Sequence, residues 1–303
     1  MRRSLILDAY HRTGHCSGMY THRASILLEE NIFDHNGWLL QGKPTRTSSQ
    51  GASAGEGGAT LFNHNTYFCG ARDTVFRGNM FLRASSMGNK WTANEGPAST
   101  RNITIDDNLY VEGEIGIGMG GNVAGPLRFK DVKITNNVLM HIGRDRPTNR
   151  ELGWYIEILD WDGGLVSGNL LLHQQNEKVR NVFGINMSYH GETQEGGPHK
   201  AVGEHSRNIK IQDNIVYGLL NGYGVTFNKC QNLSNVSFTG NLIQFPDLTT
   251  RVLLMDALTT NVAFANNKYF SGEESDAWFK LNEKDVDFKA WTKDSGDTGS
   301  TEE

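Results

Sequence analysis

An Asn followed in nearly every case by an apolar residue recurs through the chain at intervals that suit one turn of a solenoid. It appears as Glu30-Asn31-Ile32-Phe33, Gly78-Asn79-Met80-Phe81, Asp107-Asn108-Leu109-Tyr110 and Asn136-Asn137-Val138-Leu139. It continues as Gly168-Asn169-Leu170-Leu171, Asp213-Asn214-Ile215-Val216, Gly240-Asn241-Leu242-Ile243 and Asn266-Asn267-Lys268-Tyr269. The marker Asn lie 48, 29, 29, 32, 45, 27 and 26 residues apart, so the two long intervals stand out from a near-constant period. Each unit leads in with an alternating strand such as Ile103-Thr104-Ile105 or Ile209-Lys210-Ile211. A second short strand follows the Asn, then a loop, then a third strand such as Ile115-Gly116-Ile117 or Tyr223-Gly224-Val225-Thr226-Phe227. Three short strands per unit, bent at Asn or Gly, describe a right-handed parallel β-helix of about eight coils between Leu5 and Phe270. Asn tolerates left-handed geometry at a bend, and its amide can bond to the Asn of the next coil. A sandwich or barrel would carry hairpin turns instead.

Composition agrees. The 303 residues include 35 Gly and 28 Asn, poor helix formers that interrupt every stretch, so a helical bundle or coiled coil is excluded. Aromatic content of 10% and recurrent Ile, Leu and Val argue against disorder. No apolar run reaches the roughly 18 residues of a membrane span, so no membrane partner is expected. The net charge of −5 gives no electrostatic support to a nucleic-acid partner. Cys16, Cys69 and Cys230 are odd in number and far apart, which reads as buried free thiols rather than a disulfide framework or zinc site.

The organisation expected is one β-helix over residues 1–270 and a segment over 271–303 that caps the last coil through Trp291 and ends in a disordered tail. The long intervals read as loops, Leu39 to Thr60 and Tyr189 to His205, that wall a groove. Met1-Arg2-Arg3-Ser4-Leu5-Ile6-Leu7-Asp8 meets charge too soon for a secretory signal. Leu5-Ile6-Leu7 already reads as a coil strand with an open edge. Either upstream residues have been removed or another chain covers that edge, as in a homo-oligomer.

Alternation along each third strand assigns an outer face. It places Tyr20, His22, Lys90, Thr92, Tyr155, Glu157, Asn186 and Thr226 outside, with His190 shortly beyond and a bare strip at Gly116, Gly118 and Gly120. With His64 and Tyr67 of the intervening coil, this row is richer in Tyr, His and Asn than an ordinary solvent-facing strand. Tyr and His combine apolar faces with polar tips, which suits sugar rings, and bare glycines let a ring approach the backbone.

The Asn-marked coils, together with His15-Cys16-Ser17-Gly18-Met19-Tyr20, Glu29-Glu30-Asn31-Ile32-Phe33-Asp34-His35-Asn36-Gly37, Phe62-Asn63-His64-Asn65-Thr66-Tyr67 and Arg83-Ala84-Ser85-Ser86, resemble the pectate-lyase-like β-helix superfamily through Phe270. That resemblance implies action on a carbohydrate outside the cytoplasm, in an extracellular or periplasmic setting. It does not choose among polysaccharide lyases, glycoside hydrolases, uronan epimerases and phage depolymerases. Lyases of this group use a Lys, Arg, His or Tyr as base or acid, sometimes with Ca²⁺.

β-Elimination at a uronate needs a base for the C5 proton, an acid for the leaving oxygen and a clamp for the carboxylate. The candidates are Lys90 or His64 as base, Tyr67 or Tyr155 as acid, and Arg83 or Asn94 as clamp. Tyr20, His22, Tyr67, Gly118, Asn186 and His190 line subsites. The plainer alternatives are a solvated Lys90, a His64 bonded to backbone, and an Arg83 paired with Glu29, Glu30 or Asp73. Hydrolysis would need Glu157 with a second carboxylate, Asp160 or Asp162. Those two Asp read more simply as turn residues, so no metal ligand is assigned and Ca²⁺ stays an optional cofactor. Epimerisation shares the proton abstraction, and a non-catalytic glycan-binding or tail-fibre shaft is the remaining alternative. The reading adopted is a polysaccharide lyase acting on an acidic substrate.

Overall fold

The computed structural model describes residues 1–11, 15–39, 56–94, 97–120, 127–174, 176–188, 206–228, 230, 232–246, 250–256, 259–272 and 277–302. The wall-forming loops expected at Leu39 to Thr60 and Tyr189 to His205 fall largely outside these residues. The chain is a parallel β-helix built of three sheets. The first sheet holds ten strands, mostly of three residues, beginning Leu5–Leu7, Ile32–Asp34, Met80–Leu82 and Leu109–Val111. The second, also of ten strands, runs through Met19–His22, His64–Cys69, Met87–Thr92, Ile115–Met119, Leu152–Leu159, Asn181–Ser188, Gly222–Asn228, Arg251–Met255 and Phe279–Leu281 to Lys284–Val286. The third has eight strands, from Leu27–Glu29 to Val262–Ala265. The chain visits first, second and third sheet in turn, and each strand pairs in parallel with its counterpart one coil away, except for the antiparallel hairpin that ends the second sheet.

The marker Asn sit at the corner between third and first sheets and form a buried ladder. Asn79, Asn108, Asn137, Asn169 and Asn214 each donate from Nδ2 to Oδ1 of the next coil's Asn at 2.9 Å. The same Oδ1 accepts a backbone N–H, as from Asn108 to Asn137 at 3.0 Å, so one amide satisfies several corner groups that no strand reaches. The left-handed backbone is taken by the preceding residue rather than by the marker: Glu30, Asp107, Asn136, Asp213 and Asn266 all have φ of 55–56°. The bend therefore divides two tasks between neighbours, and Gly can stand at the first of them, as Gly78, Gly168 and Gly240 do.

Inside, the middle residue of each first-sheet strand points to the axis, and like stacks on like. Phe33 lies 5.2 Å from Phe81, which lies 5.0 Å from Tyr110. Cys69 and Cys230 are buried free thiols and Cys16 is a half-buried one. Among the described residues no helix is long and apolar enough to cross a membrane.

The end of the chain differs from the tail expected. Phe288–Ser295 is an α-helix capped by Asp287, whose side chain accepts from the Ala290 N–H, and it ends at Gly296 with φ 74°. Trp291 is fully buried, stacked 4.9 Å over Phe279, and donates to Asp297 Oδ2, which also takes the Tyr269 hydroxyl. Thr301–Glu302 then pairs with Lys268 and Tyr269 as the tenth strand of the first sheet. Ser300 Oγ accepts from the Asn267 N–H at 2.8 Å and so closes the Asn ladder. An acidic, Gly-containing stretch is ordered here because Asp297 meets buried donors, a tertiary fact with no local signature.

Candidate functional site

The outer face of the second sheet is the candidate trough: Glu157, Asn186 and Thr226 point outward yet are buried, and the pairing register sets what lines it. One row runs Tyr20, Tyr67, Lys90, Gly118, Glu157, Asn186, Thr226, Leu254 and Lys280, each residue opposite the next. Tyr20, Tyr67, Lys90, Gly118, Glu157 and Asn186, scattered over most of the sequence, thus stand in single file at about 4.8 Å per coil.

A second row runs His64, Met87, Ile115, Trp154, Phe183, Tyr223 and Arg251. Between the rows, strict alternation fails. Tyr155 and Ile156 are consecutive, yet both are fully buried and both belong to the central core. The ladders on both sides skip Tyr155, and a bend there that turns two successive side chains inward draws the flanking outward rows together. A Cβ built on Gly118 would stand 2.7 Å from Met87 Sδ, which reaches across from the second row. Ile115 and Met87 are buried but lie outside the core cluster, as residues on a covered outer wall would.

This bend corrects two expectations. Tyr155 does not face the groove: it is an inward core residue whose hydroxyl donates to the Leu172 carbonyl at 3.1 Å, and burial pushes its phenol well above the ordinary value. Gly116 also points inward, where a Cβ would meet Leu139 Cδ2 at 2.6 Å and the Tyr155 carbonyl at 2.7 Å. Gly118 and Gly120 remain as the outward glycines, with the tip of Met87 lying over the first and Leu159 over the second. A Cβ on Gly120 would lie 3.2 Å from Glu157 Oε2, so that carboxyl hangs over the strip.

Arg83 is not at the trough. It turns at φ 43° beyond the first-sheet strand and grips Asp34 in a bidentate ion pair, Nε to Oδ1 at 2.8 Å and Nη2 to Oδ2 at 2.6 Å. The bond to Asp34 raises its guanidinium above the usual value. None of the partners first considered for it, Glu29, Glu30 or Asp73, is the one it uses: Glu29 and Glu30 pair with Arg2 and Arg3, and Asp73 accepts from Asn102. Asn94 is exposed two residues past the strand Met87–Thr92, away from both rows. His22 is exposed in a neighbouring outward row, opposite Cys69. His190 lies outside the described residues. Asp162 is bound by Arg207 at 2.7 and 3.0 Å and is held below the usual carboxylate range by it. Asp160 is buried at the turn, with φ 61°. Among the described residues no group of three or more His, Cys, Asp or Glu is placed to hold a metal.

The cation the sequence did not single out is Arg150. It leaves the loop before Leu152–Leu159 and pairs with Glu114, Nε to Oε2 at 2.7 Å, while Nη2 reaches Ser86 Oγ at 2.5 Å. Glu114 is fully buried and is further bonded by Thr148, from N at 2.9 Å and Oγ1 at 2.6 Å. Burial raises the Glu114 carboxyl against the opposing pull of Arg150. The pair anchors the guanidinium beside Ser86 and Glu114, the residues just before Met87 and Ile115 of the second row, and its charge lowers both His64 and Lys90.

Those neighbours set the electrostatics. Burial pulls Lys90 below the ordinary lysine value, Arg150 adds to this, and Glu157 opposes it. Burial raises the Glu157 carboxyl, with Lys90 opposing. Burial, then Lys90, Arg150 and His15, hold His64 well below the ordinary imidazole value, so it is neutral. His64 Nδ1 accepts from the Met87 N–H at 3.4 Å, and its ring meets Tyr67 edge-on at 5.7 Å. The backbone-bonded histidine and the trough histidine are therefore the same residue. Lys90 and Glu157 face each other across Gly118, two coils apart, with no ion pair between them.

Arg150, Glu114 and the wall residues Trp154 and Phe183 were missed for different reasons. Glu114 carried a signal, a carboxylate directly before the apolar strand Ile115–Met119. Arg150 lies in an irregular loop whose path no periodicity reveals. No protein-family model matches the sequence, and comparison with curated proteins gives no match.

Proposed function

We propose that the trough binds an acidic polysaccharide along the helix axis and that the protein is a polysaccharide lyase of the pectate-lyase-like superfamily, acting outside the cytoplasm. The observation that carries this reading is the row that sets Lys90 between Tyr67 and Gly118, where burial lowers the lysine and the charge of Arg150 adds to it. In its deprotonated form, which burial makes more accessible, the Lys90 amine takes the C5 proton of a uronate. The released electron pair forms the C4–C5 double bond, the C4–oxygen bond breaks, and the leaving oxygen receives a proton. With Tyr155 in the core, Tyr67, next to Lys90 in the same row, is the acid. Arg150 replaces Arg83 as the clamp that neutralises the carboxylate while charge develops at C5. Its anchoring by Glu114 fixes the guanidinium before substrate arrives, so less reorganisation is needed in the transition state. Glu157 tunes Lys90 across the strip.

Hydrolysis is less well supported, because among the described residues the one charged group that acts on Glu157 is Lys90, not a second carboxylate. The test is absorbance near 235 nm during incubation with alginate, pectate and glycosaminoglycans. Unsaturated ends absorb there, and Lys90→Met abolishes the signal. Absence of signal from every uronan overturns the lyase reading, and reducing ends without absorbance restore the hydrolase.

A further inference from the structure

Beyond Glu157 the trough changes character. Trp154 and Phe183 lie 5.6 Å apart and Phe183 and Tyr223 6.2 Å apart, half-buried along one wall, with Asn186 and Thr226 opposite. The next positions in the two rows are basic, Arg251 after Tyr223 and Lys280 after Leu254. There a shallow pocket of about 240 Å³ is lined by Arg180, Asn221, Tyr223, Arg251, Lys280 and Asp285. Arg180 donates to Asn221 Oδ1 at 3.3 Å, and Arg251 reaches Asp285 Oδ2 at 3.3 Å. Three cations against one carboxylate leave the pocket with a formal charge of +2, in a chain whose net charge is −5. The Lys280 side chain has no hydrogen bond or ion pair among the described residues. A concentration of positive charge at the end of an aromatic-walled trough, against the sign of the whole molecule, is suited to an anion on an apolar-faced ring.

We infer that this pocket is a distal subsite for an anionic sugar unit, carboxylated or sulfated, of the same chain that reaches Lys90; the inference rests on the reading of the trough as a polysaccharide groove. From the strand of Lys90 to those of Tyr223 and Arg251 is four and five coils, about 19 to 24 Å. An extended pyranose unit spans about one coil, so the subsite lies four or five units from the reacting bond. It fixes the direction of the bound chain and makes affinity depend on chain length.

The experiment measures retardation of the full chain in gels containing polygalacturonate, alginate or chondroitin sulfate, with dextran as the neutral control. Wild type is retarded by at least one polyanion and not by dextran. The double variant Arg180→Gln, Lys280→Gln binds that polymer about tenfold more weakly, the loss of two partly exposed charge contacts. It also loses the affinity that wild type gains between a trisaccharide and an octasaccharide of the same polymer. Asp285→Asn, which removes the competing carboxylate, tightens binding. Unchanged retardation of the double variant, or indifference of wild type to all three polyanions, overturns the subsite. Binding and cleavage separate the two readings: a polymer held through Arg180 and Lys280 but never cleaved sinks the lyase and keeps the subsite. Cleavage unaffected by the double variant does the reverse.

Discussion

Gly116 and Gly118 are two residues apart on one strand and predict opposite outcomes on substitution. At Gly116 a Cβ would come within 2.6 Å of Leu139 Cδ2 and 2.7 Å of the Tyr155 carbonyl. That carbonyl belongs to the backbone of the next coil, which is paired on both sides and cannot retreat without disturbing two ladders. Gly116→Ala is therefore expected near the upper end of overpacking costs, about 3 kcal/mol. At about 2–4 °C per kcal/mol for a large domain, Tm falls by about 6–12 °C. At Gly118 the one short contact, 2.7 Å, is to Met87 Sδ, the movable tip of a flexible side chain, and the next contacts are ordinary at 3.5 and 3.6 Å. Gly118→Ala should cost less than about 1 kcal/mol, partly offset by the stiffer unfolded chain. Gly118→Val, still compatible with a strand, places two methyl groups between Lys90 and Glu157 and against Met87, and should lower turnover of the uronan by about 100-fold with a smaller Tm loss than Gly116→Ala. Thermal melts followed by circular dichroism and the 235 nm assay read both quantities. Equal Tm losses at the two glycines would refute the inward and outward assignment. Full activity of Gly118→Val would show that substrate does not cross this strip.

Other expectations follow from single interactions. Asn137→Ala deletes a buried amide that bonds Asn169, Ile105 and Thr135, removes one acceptor of Asn108 Nδ2 and leaves the Asn108 N–H without its acceptor, so it should cost about 3 kcal/mol by denaturant melts, far more than an exposed Asn such as Asn102. His64 is held neutral in the fold but protonates freely near 6.5 when unfolded, so its contribution is intact above pH 6.5 and is lost as pH falls from there toward its lowered folded value. The raised carboxyls Glu114 and Glu157 act with the opposite sign, losing stability as pH rises from about 4.5 through their folded values. The difference between wild type and His64→Gln in Tm across pH 5–7 therefore isolates the imidazole, and identical profiles would contradict its burial. Arg150→Gln should abolish turnover and also destabilise by about 3 kcal/mol, because Glu114 is left buried with Thr148 alone. Arg83→Gln, which breaks only the half-exposed pair with Asp34, should leave the 235 nm activity intact and cost about 1 kcal/mol or less.

The architecture was legible in the sequence because its signal repeats. A corner that needs a buried amide once per coil writes Asn at each coil, and a three-residue strand with one inward side chain writes an apolar residue beside it. Single positions of a repeat can be read because every other coil votes on them. The same logic puts Tyr67, Lys90, Gly118, Glu157 and Asn186 on one outer face, and the pairing register sets them in a single row. It failed at Tyr155 and Gly116, because the bend that turns two successive residues inward leaves no mark in composition. Arg83 and Arg150 are alike as residues, and only the fold decides between them. One turns at a corner beside Asp34, while the other is carried by a loop to Glu114 at the trough wall. The ordered end of the chain has the same origin, since Asp297 is structured by Trp291 and Tyr269 rather than by its neighbours. Periodic demands of the backbone are local and recur, so the sequence alone settles them. The charge environment of Lys90 depends on which non-repeating side chains arrive beside it, and that is set only when the coils stack.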